Sequence, residues 1–389
     1  MKKYVDISGF NIKQANRGNA ALSFGAIEFL KKKGLLHEGQ DLIKFYVYRN
    51  ILKFKNNFPH KETFQIYDSV YTEYHVPVFF IEKFLLDIFR IVLPFTYFGR
   101  FVKNVAFEAA DYGGDGFSDI YGDEHFFARM DQTSLLSKVG VPLIMLPMTV
   151  GPFKKKENLE KAKEILHYAS RVYVRDNRFV DELKKMNVSF ELEKDLSYYM
   201  KPQEWNIEII PNSIGINVSG LAYSNAFPGL EGQFENYPTL INRIIDHFRS
   251  KSAHIYLIPH SYNFNKPEEN NDDYEACKSV YSRLTNKNGV TFVDRDLSSP
   301  EVKYVISKMS FFIGTRMHAN FAAIFTNTPV FGLAYSYKFE GAFASNGLDP
   351  KKQTYMINNL SSESINEVID RIDTFYSKSI KKNHNNMKD

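Results

Sequence analysis

The feature of this 389-residue chain that most constrains its fold is an alternation of short apolar runs with longer amphipathic segments, which occurs in both halves. Short apolar runs predict buried strands, and apolar residues spaced three and four apart predict helices. The predicted strands cover residues 3–8, 141–147, 171–175, 213–218, 254–259, 311–314 and 329–333, and the predicted helices cover 20–33, 159–170, 239–249, 301–308, 319–326 and 361–376. This alternation is typical of parallel sheets with helices on both faces, so we expect an α/β fold.

A polar segment around residues 201–212, which contains Pro202 and Pro211, separates the two halves and has no strand or helix periodicity. The chain is also longer than the ~150 residues of a typical domain. We therefore predict two Rossmann-like domains that face each other across a cleft, at residues 1–205 and 206–389, with a closing C-terminal helix. Ligands of such sheets bind at the carboxyl ends of the strands, so the loops after the strands are the places to search for a site.

The composition excludes several classes of protein. The net charge of +4 comes from 49 basic and 45 acidic residues, and the basic residues form no long stripe, so we expect no nucleic-acid partner. The single cysteine, Cys277, excludes a disulfide within the chain and fits a reducing compartment. No apolar run with a cleavage site follows the first residues, so we expect a cytoplasmic protein without a signal peptide.

The segment at residues 77–101 is the most apolar part of the chain, with hydrophobic residues at helical spacing. Glu82, Lys83, Asp87, Arg90 and Pro94 interrupt it and argue against a membrane-spanning helix, which needs ~20 mostly uncharged residues. Two interpretations stay open: a helix of the core or of a dimer interface, or a helix that lies on the inner face of a membrane beside a lipid-linked acceptor.

In the first half, three loops after apolar runs carry candidate ligand-binding groups. Asn16 and Gly18 precede a predicted helix, whose free amide groups favour an anion. Thr149 lies in a rigid loop before Gly-Pro, and Arg175 ends a short strand, where its guanidinium could bind a carboxylate or phosphate or pair with Asp176.

A fourth loop in this half is rich in glycine and aspartate. Gly113 and Gly114 allow the backbone to approach a ligand closely. Asp115 and Asp119 are candidates for an acid, a base or an acceptor of sugar hydroxyl groups, although such residues also occur in plain glycine turns.

In the second half, the strongest candidate site is the loop Gly314-Thr315-Arg316-Met317-His318. It runs from an apolar strand into a helix, so a guanidinium, an imidazole and a positive helix end are near one another. This combination predicts an anion site with a proton donor beside it.

Four further residues of the second half follow predicted strands and are candidates for the same site: Asn217, His260, Tyr335 and Lys338. Lys338 would be a second cation for the anion, and His260 would shape the site. The sequence has no paired-cysteine spacing and no HExxH motif, and its histidines are scattered, so we expect no metal.

The order of these loops resembles the polysaccharide pyruvyl transferase family. The residues that carry the resemblance stand in the family's order and span nearly the whole chain: Asn16-Arg17-Gly18-Asn19, Gly113-Gly114-Asp115, Thr149-Val150-Gly151-Pro152-Phe153, Val174-Arg175-Asp176, Asp195-Leu196, Pro259-His260, Arg316-Met317-His318 and Tyr335-Ser336-Tyr337-Lys338. The chain departs from the family pattern at Asn19, at Met148 and at Leu196, where Asp, Gln and Pro are usual.

The resemblance implies a GT-B-like fold and transfer of pyruvate from phosphoenolpyruvate to sugar hydroxyls of a surface or capsular polysaccharide precursor, as a ketal. In that reaction Arg316, Arg175 and Lys338 would bind phosphoenolpyruvate, His318 would act as the acid, and Asp115 would act as the base. No cofactor is required. The second domain would hold the donor and the first the sugar acceptor. Because the departures lie in the first domain, they concern the acceptor side.

Two other functions fit the same loops. A nucleotide-sugar glycosyltransferase of similar shape would bind a diphosphate at the helix that contains His318. A non-catalytic scaffold of a polysaccharide assembly complex would keep the loops without turnover.

Overall fold

The computed structural model describes residues 3–48 and 58–386 and consists of two α/β units. The first unit contains the chain up to Asn11 together with Leu22–Met200, and the second contains Ile12–Ala21 together with the chain from Lys201 onward. The second unit thus begins close to the predicted boundary at 205/206. The segment 12–21, which the sequence interpretation counted with the first domain, groups with the second because its backbone and Arg17 bind residues 260–299 there.

The first unit has an eight-stranded sheet in the order β3-β4-β2-β1-β5-β6-β7-β8. Its strands are β1 (Tyr4–Ser8), β2 (Leu42–Tyr48), β3 (His60–Ile66), β4 (Ser69–Phe79), β5 (Val105–Ala110), β6 (Leu143–Met148), β7 (Arg171–Val174) and β8 (Glu191–Leu192). Every described pairing is parallel except that of β3 with β4, which is an antiparallel hairpin at one edge.

Helices cover this sheet, with apolar faces that form its core. They are α1 (Arg17–Lys32), whose first residues belong to the second unit, α2 (Phe80–Phe89), α3 (Tyr97–Val102), α4 (Asp123–Ser137), α5 (Lys156–Tyr168), α6 (Val180–Lys185) and α7 (Leu196–Tyr199). Strand β1 lies between β2 and β5, and the chain connections on its two sides run in opposite directions along the sheet. The loops after β1 and β5 therefore meet at the topological switch point.

The second unit has a six-stranded parallel sheet in the order β11-β10-β9-β12-β13-β14. Its strands are β9 (Ile214–Asn217), β10 (Ile255–Leu257), β11 (Val290–Phe292), β12 (Phe311–Gly314), β13 (Val330–Ala334) and β14 (Thr354–Met356). Its helices are α8 (Gly220–Ser224), α9 (Tyr237–Ser250), α10 (Asp273–Arg283), α11 (Ser299–Ser307), α12 (Met317–Ile324), α13 (Lys338–Ser345), α14 (Pro350–Gln353) and α15 (Ser364–Asn386). The switch point of this sheet lies between β9 and β12.

These elements confirm the predicted α/β class with two Rossmann-like, mainly parallel sheets. Each predicted strand and helix is present with ends shifted by a few residues, except that α15 continues ten residues beyond the predicted end at 376. Between residues 34 and 140 the sequence interpretation assigned only a helix within 77–101, whereas the structure places β2–β5 and α2–α4 there. In the described part of the chain, no helix is both long and apolar enough to cross a bilayer.

The apolar segment 77–101 forms the end of β4, then α2 and α3. Only some of its apolar side chains enter the core, among them Leu86 and Phe98. Seven are exposed, by 44–67 %: Phe80, Ile81, Phe84, Ile88, Phe89, Ile91 and Phe95. The interpretation of this segment as a core helix is therefore wrong for the outward face of α2, which is apolar and which residues 3–48 and 58–386 leave exposed.

Candidate functional site

The candidate site of the second unit lies where β9, β10, β12 and β13 end, around the β9–β12 switch point. Asn217 ends β9, and Gly314 ends β12 beside it in parallel register. His260 follows β10, and Tyr335 follows β13. Parallel strands place all these positions at the same edge of the sheet, so the structure brings together the residues that the sequence analysis selected in this half.

The centre of this edge is Asp273, the first residue of α10, which is fully buried. Its Oδ1 accepts hydrogen bonds from the backbone N–H of Gly220 (2.8 Å) and from Nε and Nη2 of Arg316 (3.0 and 2.8 Å). Its Oδ2 accepts from Asn217 Nδ2 (3.1 Å) and from the backbone N–H groups of His260 (3.2 Å) and Ser261 (2.9 Å). One carboxylate thus fixes the loops after β9, β10 and β12. The sequence analysis missed it, because an Asp-Asp pair at a helix start indicates only a cap.

Arg316 is held by this carboxylate. Its Nη2 also donates to the backbone and side-chain oxygens of Asn271, and its backbone N–H donates to Oδ1 of Asn217. Burial alone would lower the pKa of Arg316, but the nearby Asp273 carboxylate and Tyr335 raise it above its ordinary value. The side chain is only 11 % exposed. The structure therefore shows Arg316 as a fixed cation whose charge is balanced by Asp273.

His318 is the second residue of α12 and is half-buried, one turn from Phe321, whose ring it meets edge-on. Gly18 packs directly on it. A Cβ atom on Gly18 would lie 2.6 Å from Nδ1 of His318 and 2.8 Å from its Cβ, which is too close for any real contact. Only glycine at position 18 leaves the imidazole in this place. Gly18 thus has a steric role toward His318 that the sequence analysis did not predict.

His260 lies near these groups and is 3 % exposed. Burial, together with His318, Arg316 and Arg17, holds the pKa of His260 well below its ordinary value of 6.5, so its ring is neutral. Its backbone oxygen accepts from the N–H of Arg17. A neutral imidazole can accept or donate a hydrogen bond but adds no positive charge to the edge.

The segment that carries Asn16 and Gly18 is fixed to the second unit by Arg17. Nε of Arg17 donates to the carbonyl of Leu297 (2.7 Å), Nη2 contacts Asp296 (2.6 Å), and the guanidinium lies 4.4 Å from the ring centre of Tyr262. The Asn16 side chain accepts from the N–H of Gly18, which shapes the turn into α1.

The remaining predicted residues of this unit have mixed roles. Thr315 is fully buried and bonded to the hydroxyl of Tyr237 (2.8 Å). Gly314 allows the side chain of Asn320 to approach, since a Cβ there would lie 2.3 Å from its Oδ1. Tyr335 is half-buried next to Arg316, and Lys338 begins α13. Thr315 and Gly314 are therefore structural supports of the loop that holds Arg316.

In the first unit, Arg175 follows β7, and its side chain is only 9 % exposed. Its Nη1 donates to the carboxylate of Asp195, and its Nε donates to the hydroxyl of Thr149 (3.0 Å). The guanidinium also packs closely against Gly114, since a Cβ atom on that glycine would lie 2.7 Å from Nη1. Burial alone lowers the pKa of this guanidinium, but Asp195 and Asp115 raise it above its ordinary value. The predicted surface pair with Asp176 is in fact a contact at 4.0 Å within this buried group.

The glycine-rich loop after β5 contains a carboxyl group that the sequence analysis did not select. Asp111, 4 % exposed, accepts from the N–H groups of Gly113 (3.0 Å) and Gly114 (3.3 Å). Burial raises its pKa to about 6, against the opposing effect of these two amides. Asp115 is half-buried, and its Oδ2 accepts from Tyr121 (2.9 Å). The position of Asp111 directly after a buried strand was the available signal.

Asp119 makes contacts that fit the structural alternative considered for this loop, an aspartate in a plain glycine turn. Its carboxylate accepts from the backbone N–H groups of Lys154 and Lys155 and from Nδ2 of Asn158 (2.8–3.1 Å). Burial by itself raises the pKa of Asp119, but these donors outweigh it and lower the pKa below its ordinary value. The carboxylate therefore fixes the start of α5 through these protein donors.

Comparison with known proteins was made at the level of families, curated sequences and solved structures. The chain matches the family model "Polysaccharide pyruvyl transferase" over residues 16–337. No curated protein sequence gave a significant match.

Similar solved structures include two UDP-GlcNAc 2-epimerases and one heptosyltransferase. The enzyme from Neisseria meningitidis bound to UDP-GlcNAc has 9 % identity and a TM-score of 0.48, covering 97 % of this chain and 94 % of that one. The epimerase from Methanocaldococcus jannaschii has 8 % identity and a TM-score of 0.44, covering 85 % and 92 %. ADP-heptose heptosyltransferase II from E. coli has 8 % identity and a TM-score of 0.45, covering 97 % and 99 %. Likeness at this level assigns no substrate to the chain.

Proposed function

This chain belongs to the polysaccharide pyruvyl transferase family, and on that premise we propose that it transfers the pyruvyl group of phosphoenolpyruvate to hydroxyls of a sugar. The sugar would belong to a surface or capsular polysaccharide precursor, either lipid-linked or nucleotide-linked. The observation that carries the proposal is the group of Arg316, His318 and the amino end of α12 at the β9–β12 switch point, since a dianionic donor needs cations, amide donors and a proton source together.

The donor site is proposed to lie at this edge of the second unit. The first N–H groups of a helix have no acceptor within it, so those of α12 can bind phosphate or carboxylate oxygens. Arg316 adds a fixed positive charge beside them. The buried Asp273 balances that charge and keeps the guanidinium in one orientation. Lys338, at the start of α13, would supply a second, less constrained cation, and Asn217 and Tyr335 would line the same edge.

The reaction needs one proton at C3 of phosphoenolpyruvate and loses phosphate. His318 would donate the proton to C3 while a sugar hydroxyl attacks C2, which forms a tetrahedral carbon bearing the sugar oxygen, the carboxylate, a methyl group and the phosphate. The C2–O bond to phosphate then breaks, and a second hydroxyl of the same sugar attacks C2. The protons of the two hydroxyls end on C3 and on the departing phosphate, so the ketal and inorganic phosphate balance the reactants.

The acceptor hydroxyl is proposed to lose its proton to a carboxylate of the loop after β5. Asp115 is the base that the family pattern indicates. Asp111 is a second candidate, because its raised pKa of about 6 suits a general base at neutral pH. Arg175, although buried, would contribute positive potential to this loop through its contact with Gly114.

The test is phosphate release from phosphoenolpyruvate by the purified full-length chain with a panel of lipid-linked and nucleotide-linked sugars. We expect release that depends on one acceptor and falls by about 100-fold or more in His318→Gln. His254→Gln is the matched control. His254 is also half-buried in this unit, but it directly precedes β10 and bonds Thr291 of β11, at the end of the sheet away from the site. Turnover of a nucleotide sugar in place of phosphoenolpyruvate would instead show a glycosyltransferase. Equal rates in the two variants would remove the proton-donor role of His318.

We also propose that the outward face of α2 attaches the enzyme to the cytoplasmic face of a membrane, where a lipid-linked acceptor would be found. Seven exposed apolar side chains lie within residues 80–95, and the exposed Arg90 and Arg100 are in the same stretch of chain. Large apolar side chains beside basic ones are typical of helices that lie in the lipid headgroup region.

Vesicle sedimentation tests this attachment. We expect the chain to bind phosphatidylserine-containing vesicles and the double variant Ile88→Ser/Phe89→Ser to bind at least tenfold more weakly, because each side chain contributes roughly 1.5–3 kcal/mol when fully buried. Leu192→Ser, which is 55 % exposed in β8 at the opposite sheet edge, should bind like the unmodified chain. Equal binding by all three proteins would contradict the attachment. A dimer that dissociates in the double variant would show that a second copy covers the face.

A further inference from the structure

The β3–β4 hairpin places histidines next to one another that belong to no recognisable metal-binding motif in the sequence. His60 is the cross-strand partner of His75, and Glu62 is the partner of Glu73. Side chains two positions apart on a strand point to the same face, so all four lie on one face of the hairpin. We propose that His60, Glu62 and His75 bind a divalent transition metal ion such as Zn²⁺ and that Glu73 supports them.

The distances suit such an ion. One ligand atom from each of His60, Glu62 and His75 lies within 4.8 Å of the other two. A tetrahedral zinc ion with bonds of about 2.0–2.1 Å requires ligand atoms about 3.4 Å apart, which small side-chain rotations would give. His60 and Glu62 are exposed, so an ion can enter from solvent, and water would complete the coordination.

The pairings themselves favour a bound cation. Two glutamates directly opposite each other on antiparallel strands repel one another, and so would two charged histidines. Here burial, with a smaller contribution from Glu62, raises the pKa of Glu73 to about 7 against the opposing effect of Lys44. The imidazole rings of His60 and His75 are stacked 4.7 Å apart at 11°, with neither ring turned away from the other. A divalent ion bound by His60, Glu62 and His75 would offset the repulsion between Glu62 and Glu73 and would use both imidazoles as ligands.

His75 is already in the form that a metal needs. Burial, with His60 and Lys44, lowers its pKa below the ordinary value, so the ring is neutral at pH 7. Its Nε2 is buried 2.9 Å from Oε2 of Glu73, and among the described residues it makes no hydrogen bond of good geometry. Metal-bound histidines commonly use their second ring nitrogen on a carboxylate, which is the place that Glu73 occupies.

The charged groups around the site include one that opposes a cation. Lys44 of β2 is the register partner of His75 on the other side of β4, and its ammonium group is the cation that lowers the pKa of Glu73 and His75. Two carboxylates against one ammonium leave the face favourable for a divalent ion. Imidazole ligands favour zinc, nickel or copper over calcium and magnesium, which prefer oxygen alone. Bound there, the ion would clamp the edge strand β3 onto β4.

The experiment is zinc titration of the metal-free full-length chain against a chromophoric chelator at pH 7.5. We expect one tight zinc site per chain, from which an excess of Mg²⁺ does not displace the zinc. The affinity for zinc should fall by at least 100-fold in His60→Gln and in His75→Gln. It should also be lower at pH 5.5 than at pH 7.5, because the histidines must be deprotonated to bind the ion. Glu73→Gln should weaken binding by about 10–100-fold, as loss of an outer-shell partner does.

His125→Gln, an exposed histidine of the same unit, is the control and should bind zinc like the unmodified chain. Zinc should also raise the melting temperature of the unmodified chain and not that of His60→Gln. His60 is exposed, so its replacement should leave the fold intact. No tight site, or equal affinity in His60→Gln and His125→Gln, would overturn the proposal. Neither readout involves transferase activity, so this test and that of the proposed function fail independently.

Discussion

The carboxylate of Asp273 offers the sharpest test of how the second unit is held together. In Asp273→Asn, the side chain keeps its shape but loses its charge and places an amide NH2 group among N–H donors. Arg316, whose side chain is 11 % exposed, would lose its charge partner. Removal of one member of a buried ion pair costs about 3–5 kcal/mol, because the remaining charge stays desolvated.

We therefore expect Asp273→Asn to lower the free energy of unfolding by about 3–5 kcal/mol at pH 7.5. With about 2–4 °C per kcal/mol for a unit of this size, the melting temperature should fall by roughly 10 °C. Circular dichroism during urea and thermal unfolding would measure both.

Asp296→Asn is the matched control for this prediction. Asp296 also pairs with a buried arginine of the unit, Arg17, but its side chain is 49 % exposed, and such pairs contribute roughly 0–1 kcal/mol. The double variant Asp273→Asn/Arg316→Met should be more stable than the sum of the single effects predicts, because the two groups are coupled. If Asp273→Asn costs no more than Asp296→Asn, the carboxylate is not the centre of this edge.

Three further results should follow from the site. Gly18→Ala should displace the imidazole of His318 and lower the transfer rate at least tenfold, whereas Asn19→Ala, one position on, should not; equal rates would mean that the ring moves freely. Asp111→Asn should become more stable relative to the unmodified chain as the pH rises, by up to about 3 kcal/mol at pH 8. The unmodified carboxyl contributes most to the free energy of unfolding below pH 3.8, and this contribution is lost as the pH rises through about 6. A difference in free energy of unfolding that stays constant between pH 4 and 8 would contradict the raised pKa. The neutral ring of His260 contributes stability above pH 6.5 that is lost as the pH falls further, so His260→Gln should flatten the acid side of the stability curve measured by urea unfolding.

The sequence was most informative where strands are buried on both faces. Runs such as those of β9, β12 and β13 contain few polar residues and could be read directly, together with the helices between them. The strands of the hairpin could not: β3 has the sequence HKETFQI and is exposed along most of its length, so its position depends on pairing with β4 rather than on an apolar pattern.

The candidate site shows the same limit. Arg316 and His318 are two positions apart, so their proximity is visible in the sequence. The partner that fixes Arg316, Asp273, is 43 residues away and becomes its neighbour only because β9, β10 and β12 are parallel strands of one sheet. The stacked pair of His60 and His75 likewise depends on hairpin register, which no local pattern of the sequence specifies.

The ten residues from Ile12 to Ala21 limit how this enzyme can be divided. They stand near the amino terminus of the chain, yet Arg17 is bound by residues 296 and 297, and Gly18 packs on His318. A fragment that starts at Lys201 would therefore contain every strand of the second sheet but would lack the segment that packs against His318. Dissection of the enzyme into halves, or exchange of halves between relatives, would have to carry this segment along with the carboxyl-terminal part.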